Sequence, residues 1–219
     1  MAEYVDEFRG TDDLYYAEVL IDDNGTNTAG SGETPNHGYV TGTVKKLAPV
    51  AEISKSVETA LDTKYYDNVA AITINAEGAD TITLAIPALD LPTLADITGK
   101  QYDSTTGAFM DGEAKPKMFA LGYRLGLTDG TYRYVWRYKG SFAIPEESAQ
   151  TKNAGTDSSG QSLTYTGIST IHKFTNATDS QGNPMPQKAL VVDERDGKAD
   201  LSEFFDEVTT CDTLQAKNS

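Results

Sequence analysis

Cysteine, histidine and tryptophan are nearly missing from this chain: its 219 residues hold one Cys, two His and one Trp. A single thiol, Cys211, excludes an internal disulfide framework, and with no His near it in sequence it reads as a free thiol and not a nucleophile. His37 falls in a loop and His172 in a strand, with no Cys or second His at ligand spacing, so neither predicts zinc. His172 reads as a core or interface histidine. Positive charge is also scarce. The chain has 18 Lys and Arg against 33 Asp and Glu, a formal net charge of −15 and a sequence pI near 4.4. Such a surface repels nucleic acid and anionic membranes, and it serves either solubility alone or a face that meets a polyanion without holding it.

Long apolar runs are lacking too. No stretch approaches the roughly 20 apolar residues of a membrane span. The start, MAEYVDEFRGTDD, has neither the basic nor the apolar region of a secretory signal. The expectation is a chain made and folded in a cytosol, large enough to bury a real core.

Catalytic signatures are missing as well. There is no phosphate-cradling glycine loop, no nucleophile elbow, and no Ser, His and acid set that spacing singles out. The pairs Asp22-Asp23 and Glu146-Glu147 sit in loops of an acidic protein, where solvation accounts for them. Asp196 to Phe204 copies several positions of a calcium-binding loop, but Val192 stands where the first carboxylate is required and the incoming helix is missing. A turn leading into a capped helix explains the same residues. The sequence therefore predicts no catalysis and no cofactor.

The most organised stretch is Lys117 to Phe142, which reads as one long β-hairpin around Asp129-Gly130, a dipeptide suited to a two-residue type I′ turn. Counting outward from that turn pairs Leu127 with Tyr132, Leu125 with Tyr134, Tyr123 with Trp136 and Leu121 with Tyr138. The other face then pairs Gly126 with Arg133, Arg124 with Val135, Gly122 with Arg137 and Ala120 with Lys139. Four cross-strand pairs contribute at most a few kcal/mol, at about 0.2–1 kcal/mol each, so the hairpin must pack on something larger. The expected arrangement is an antiparallel sheet whose aromatic face is covered by a second layer. Arg124, Arg133, Arg137 and Lys139 read as cross-strand or intersubunit partners of acids, the other reading being a nucleic-acid stripe.

Around this spine, Leu14 to Ile21 predicts a strand buried on both sides, followed by a long exposed loop over 22–38. Strands follow at Tyr39 to Leu47 and Val50 to Val57, then a loop over Glu58 to Asn68. A second hairpin is expected at Val69 to Asn75 and Ala79 to Ile86, with residues 75–78 as its turn. A short helix is expected over Asp90 to Thr98, with Pro92 near its start. Pro145 to Gln161 is a polar loop. Ser162 to Phe174 reads as one strand bulged at Gly167. Ala189 to Val192 is a short edge strand, and Asp200 to Thr210 a helix with an Asp200/Glu203 capping box and an apolar stripe of Leu201, Phe204, Phe205 and Val208. No internal repeat is visible, and residues 1–219 are expected to form a single domain.

GTDDLYYA (Gly10 to Ala17), KPKMFALGYR (Lys115 to Arg124), VWRYKGSFAIPEE (Val135 to Glu147) and the acidic, phenylalanine-containing segment Val192 to Val208 occur in that order and are spread over most of the chain. Together they resemble the major tail proteins of long-tailed bacteriophages, and in particular the phi13-type tail tube proteins of phages infecting Gram-positive bacteria. The resemblance implies a mainly β protomer, an antiparallel β-sandwich or half-barrel with a short flanking helix and a C-terminal helix. Six such protomers form a ring whose inner sheets join into a β-barrel, and rings stack into an acidic-walled conduit for double-stranded DNA. It implies as partners further copies of the chain and the tape measure, tail terminator and distal tail proteins, in a virion tail assembled in the host cytoplasm, with no membrane. The residues expected to carry assembly and packing are Leu121, Gly122, Tyr123, Gly126, Arg133, Trp136, Arg137 and Tyr138. A reading of another class, a β-sandwich module that binds carbohydrate or a receptor, would place Tyr and Trp exposed on a strand face.

Overall fold

The apolar run at Leu14 to Ile21 does form a strand, covered on both sides over Leu14 to Ala17, while Leu20 near its end is exposed. β1 (Phe8–Asp22) sends Leu14 and Tyr16 to one core and Ala17 to another. A computed structural model describes residues 6–66, 69–146 and 160–217, with side chains outside 61–75. After β1 come β2 (Tyr39–Thr41), β3 (Lys45–Lys46), β4 (Glu52–Tyr66), β5 (Val69–Ile86) and the helix α1 (Leu91–Thr98). Then follow β6 (Gln101–Asp103), β7 (Ala108–Met110), β8 (Phe119–Leu127), β9 (Tyr132–Phe142), β10 (Gln161–Ile168), β11 (Lys173–Thr178), β12 (Pro184–Pro186) and β13 (Ala189–Asp193). The fold is mainly β and antiparallel, as predicted. Nine strands form one sheet in the order β2-β1-β8-β9-β10-β5-β4, with β3 beside β1 and β13 beside β9. The sheet curls until β4 comes into contact with β1.

The central hairpin exists, but its register differs by one residue from the expected one. Leu125 faces Arg133, Tyr123 faces Val135, Gly122 faces Trp136 and Leu121 faces Arg137. The cause lies in the turn. A type I′ turn requires positive φ at both central residues, yet Asp129 lacks it and Gly130 alone has it, at 88°. Gly130 N–H donates to Leu127 O at 3.1 Å and Leu127 N–H to Thr131 O at 2.9 Å, which is a three-residue loop closed by a glycine bulge. Asp129 Oδ1 holds it by accepting from Thr131 N–H and Oγ1–H. One extra loop residue moves every partner by one, so Trp136 and Tyr138 lie on the side opposite Leu121 and Tyr123.

Both faces of the hairpin are consequently covered. Leu121, Tyr123 and Val135 join Leu14, Tyr16, Ile82, Leu84, Leu163 and Tyr165 inside the curl, with Ile97 of α1 packed among them. Trp136 and Tyr138 join Ala17, Ala120, Phe174, Phe204 and Val208 in a second core on the outside. Gly122 is needed there because a Cβ would meet the Trp136 ring at 2.8 Å, and Gly126 because a Cβ would meet Arg9 O at 2.8 Å. These glycines thus lie opposite Trp136 and Tyr132, and not opposite Arg137 and Arg133 as counted from sequence.

Several further expectations are corrected. Residues 58–66 continue β4 and are not a loop, and β5 runs unbroken through 75–78, so the expected second hairpin is one strand of a longer one. The Gly78 that reads as a turn instead sits in a bulge: Val57 faces Asp80 and Thr59 faces Glu77, leaving one extra residue on β5. Residues 67 and 68, and most of the polar loop 145–161, lie outside the described residues. Tyr39 to Leu47 is split into β2 and β3, and Ser162 to Phe174 into β10 and β11, whose large residues serve different cores.

The C-terminal helix over 200–210 is not formed; residues 202–208 are consecutive turns. Asp200 Oδ1 accepts from Ser202 N–H and Oγ–H, where a capping box would take the Glu203 N–H. The Phe204 carbonyl, which a helix would offer to Val208, is occupied by Trp136 Nε1–H at 2.8 Å and Thr209 Oγ1–H at 2.9 Å. The apolar stripe still finds its target, since Leu201, Phe204, Phe205 and Val208 all pack on the outer core. α1 is as expected, with Asp90 at its N-cap, Pro92 in its first turn and Gly99 closing it in the left-handed conformation.

Candidate assembly surface

All four cations of the hairpin are paired within the chain. Arg133 makes two bonds, Nε–H at 3.0 Å and Nη2–H at 2.8 Å, to Asp193 on the neighbouring β13. Arg124 reaches Asp13 at 3.0 Å, and Lys139 reaches Asp22 at 2.6 Å. Arg137 donates to Asp80 at 2.6 Å, with both side chains less than 10 % exposed. Asp80 also has Lys55 Nζ at 3.4 Å and Lys188 Nζ at 3.6 Å. These cations are spent on carboxylates and form no stripe for phosphate, as their reading as partners of acids predicted. Sequence reasoning placed the cations but missed their acceptors, because Asp13, Asp22, Asp80 and Asp193 lie far from them along the chain.

Asp80 marks the place where β5 leaves the sheet. Over 80–85, β5 pairs with both β10 and β4; over 69–79 it pairs with β4 alone. Lys188 Nζ–H donates to Gly78 O at 2.6 Å just beyond that point. The result is a two-stranded arm rooted in a buried ion cluster. A two-stranded ribbon is marginal by itself in water.

Besides the short strands β2, β3 and β13, each paired on one side, two longer strand edges are open among the described residues. β4 pairs only with β5 along its whole length, and β1 has no outer neighbour over residues 8–13. The β1 edge is broken by Gly10 at φ 94° and Asp13 at φ 54°, with register shifts beside both. Bulges of this kind blunt an edge against further pairing. β4 shifts only between Val57 and Thr59 and between Lys64 and Tyr65, and offers the longer run of free backbone groups.

The loop over 22–38 is exposed, as expected, and its base is pinned. Asp22 accepts from Ile171 N–H at 2.9 Å and His172 N–H at 2.8 Å, and Asn24 brackets the same turn through Ile171 O and Lys173 N–H. His172 Nδ1 lies 2.9 Å from Asp23 O, with its ring edge-on to Phe174. Burial alone would raise the Asp22 carboxyl, but the bonds from Lys139, His172 and Ile171 outweigh it and hold it below the usual range. Asp23, bonded by Gly38 N–H, the His37 ring and Gly25 N–H, is lowered to about 2. A carboxyl depressed in the folded state stabilises fully above its unfolded value near 3.9 and loses that contribution as pH falls through the folded one. The Gly25 and Gly38 amide resonances should therefore shift between about pH 4 and pH 2, ahead of global unfolding, and constancy of both across that window would contradict the latch.

The remaining candidate groups are structural. Tyr138 accepts from Cys211 N–H at 3.0 Å, and burial pushes the Cys211 thiol up, away from thiolate chemistry. In the calcium-like stretch, Asp193 is held by Arg133 and Arg195, and Asp200 by Ser202. Among the described residues no cluster of His, Cys, Asp and Glu is placed to hold a metal ion, and no helix is long and apolar enough to cross a membrane. An apolar groove of about 520 Å³ lies between Phe8, Ile53, Leu125 and Val135, with Glu52, Lys55, Arg133 and Arg137 also on its lining. Leu121, Tyr123, Trp136 and Tyr138 are buried in the two cores, Gly122 and Gly126 clear space beside them, and Arg133 and Arg137 are fixed by Asp193 and Asp80. No protein-family model matches the chain, and no curated protein matches it.

Proposed function

We propose that this chain is a structural subunit of a bacteriophage tail tube, forming hexameric rings that stack into a conduit for double-stranded DNA. The observation that carries the reading is the β4–β5 arm: beyond Asp80 β5 pairs with β4 alone, and among the described residues β4 has no partner on its outer side from Glu52 to Tyr66. Exposed strand margins of that length recruit another chain, and a closed ring removes them. The net charge of −15 supports passage of a polyanion without retention, because releasing counterions from DNA requires cationic contacts, and the four cations of the hairpin are spent on carboxylates. The sequence resemblance supplies the hexamer, the tape measure, terminator and distal tail proteins as partners, and the virion tail as the location.

A carbohydrate- or receptor-binding module loses its main support, since Trp136 and Tyr138 are fully buried and present no stacking platform. Negative-stain microscopy of the concentrated protein should show annular or tubular particles with a central hole. A monomer that persists at high concentration would overturn the proposal.

A further inference from the structure

The outer face of β10, β5 and β4 is paved with short hydroxyl side chains. Register places Ser141, Thr166, Thr81 and Ser56 side by side across four strands. The adjacent row holds Thr164, Thr83 and Ser54. Alternation sends these side chains away from the core, because Ile82, Leu84, Leu163 and Tyr165 between them are fully buried inside the curl. Lys55 and Asp80 also point inward, where they pair. The two rows thus carry seven short hydroxyls and no charge. Ser54, Ser56 and Thr83 are exposed, the other four half-exposed, and no element among the described residues packs on them.

Resting on the tube reading above, we infer that this hydroxyl-paved face is the wall of the conduit. Short Ser and Thr side chains stay hydrated without apolar area to bury in a dry subunit contact, and they carry no cation to capture phosphate. Partner strands added along the free edge of β4 continue the same alternation, so each copy extends the face around the ring. The two hydroxyl rows are themselves neutral, and the carboxylates act from their margin, beginning with Glu52, which is exposed on the same face beside Ala85. The inferred wall differs in this from the acidic lining expected from the resemblance. It also resolves the position of the spine hairpin, both of whose faces are covered inside one protomer.

Cysteine probes at Ser54 and Thr83 decide the matter, in a Cys211→Ser background that retains the backbone bond to Tyr138. Tubes built from Ser54→Cys or Thr83→Cys protein are treated with a small maleimide and, separately, with a maleimide carrying a long polyethylene glycol chain. A channel wall accepts the small reagent and refuses the large one, whose labelling rate falls by an order of magnitude on assembly. Equal labelling by both puts the face on the outside of the tube, and refusal of both puts it in a subunit contact; either result overturns the inference and leaves the tube reading standing. Absence of tubes from the unsubstituted chain overturns both. Two probe positions on different strands separate a general result from a local folding defect, which circular dichroism of each variant reports.

Discussion

Asp80→Ala should lower the unfolding free energy by about 3–5 kcal/mol, the loss expected when one partner of a buried ion pair is removed. Arg137 would be left in the core with its charge uncompensated, and its Nε already has no hydrogen-bond partner among the described residues. Lys55 and Lys188, which also lean on Asp80, would add like charge to the same site. Urea unfolding followed by fluorescence of the single Trp measures the change. The double variant Asp80→Ala with Arg137→Met should recover most of it, because an apolar pair of similar volume is often as stable as the ions it replaces. A loss below about 1 kcal/mol in the single variant would show that the cluster behaves like an exposed pair. Since Asp80 is also where the arm departs, a folded Asp80→Ala protein should assemble less well than its stability alone accounts for.

Trp136→Ala should destabilise by about 3–5 kcal/mol, the range for deleting a large buried aromatic. Its ring is fully buried, it lies across from Gly122, and its indole N–H caps the Phe204 carbonyl. Trp136→Phe should lose less, about 1–2 kcal/mol, since much of the volume remains and the main deficit is one hydrogen bond with some packing. Because the substitution removes the only tryptophan, far-UV circular dichroism in urea is the suitable probe. Near-equal losses for Ala and Phe would mean that the Phe204 bond, and not the packing, dominates; a negligible loss for both would contradict the outer core as described.

Element type was legible in the sequence wherever alternation was strong. β1, the two strands of the spine, the buried face of Ile82, Leu84 and Ile86, and α1 with Pro92 near its start all follow from pattern and the placement of proline, whereas the Asp90 cap emerges only in the structure. Register was not legible, because Asp-Gly serves both a two-residue turn and the last two positions of a glycine-bulge loop, and only the φ at Asp129 distinguishes them. The Gly78 bulge misled for a related reason: glycine marks both turns and close strand approaches, and here a Cβ would run into Glu58 at 2.8 Å. At Leu201 to Val208, apolar spacing identified what is buried but not the backbone, since the indole of Trp136 competes for the carbonyl a helix needs. The candidate surface was half legible. Cationic residues stand out in an acidic chain, whereas their acceptors and the hydroxyl rows become neighbours only through strand pairing.

The turn at Thr128 to Gly130 gives loop length a meaning that composition does not carry. An odd number of linking residues lets one ribbon staple the inside and outside of the molecule at once, with leucines serving one compartment and the indole the other. Shortening the link by a single residue would hand each compartment the wrong set and present arginine where tryptophan belongs. Of all the connections here, this small one tolerates change in size least, while the span between Asp22 and Gly38, anchored at its two feet, has room to grow or shrink.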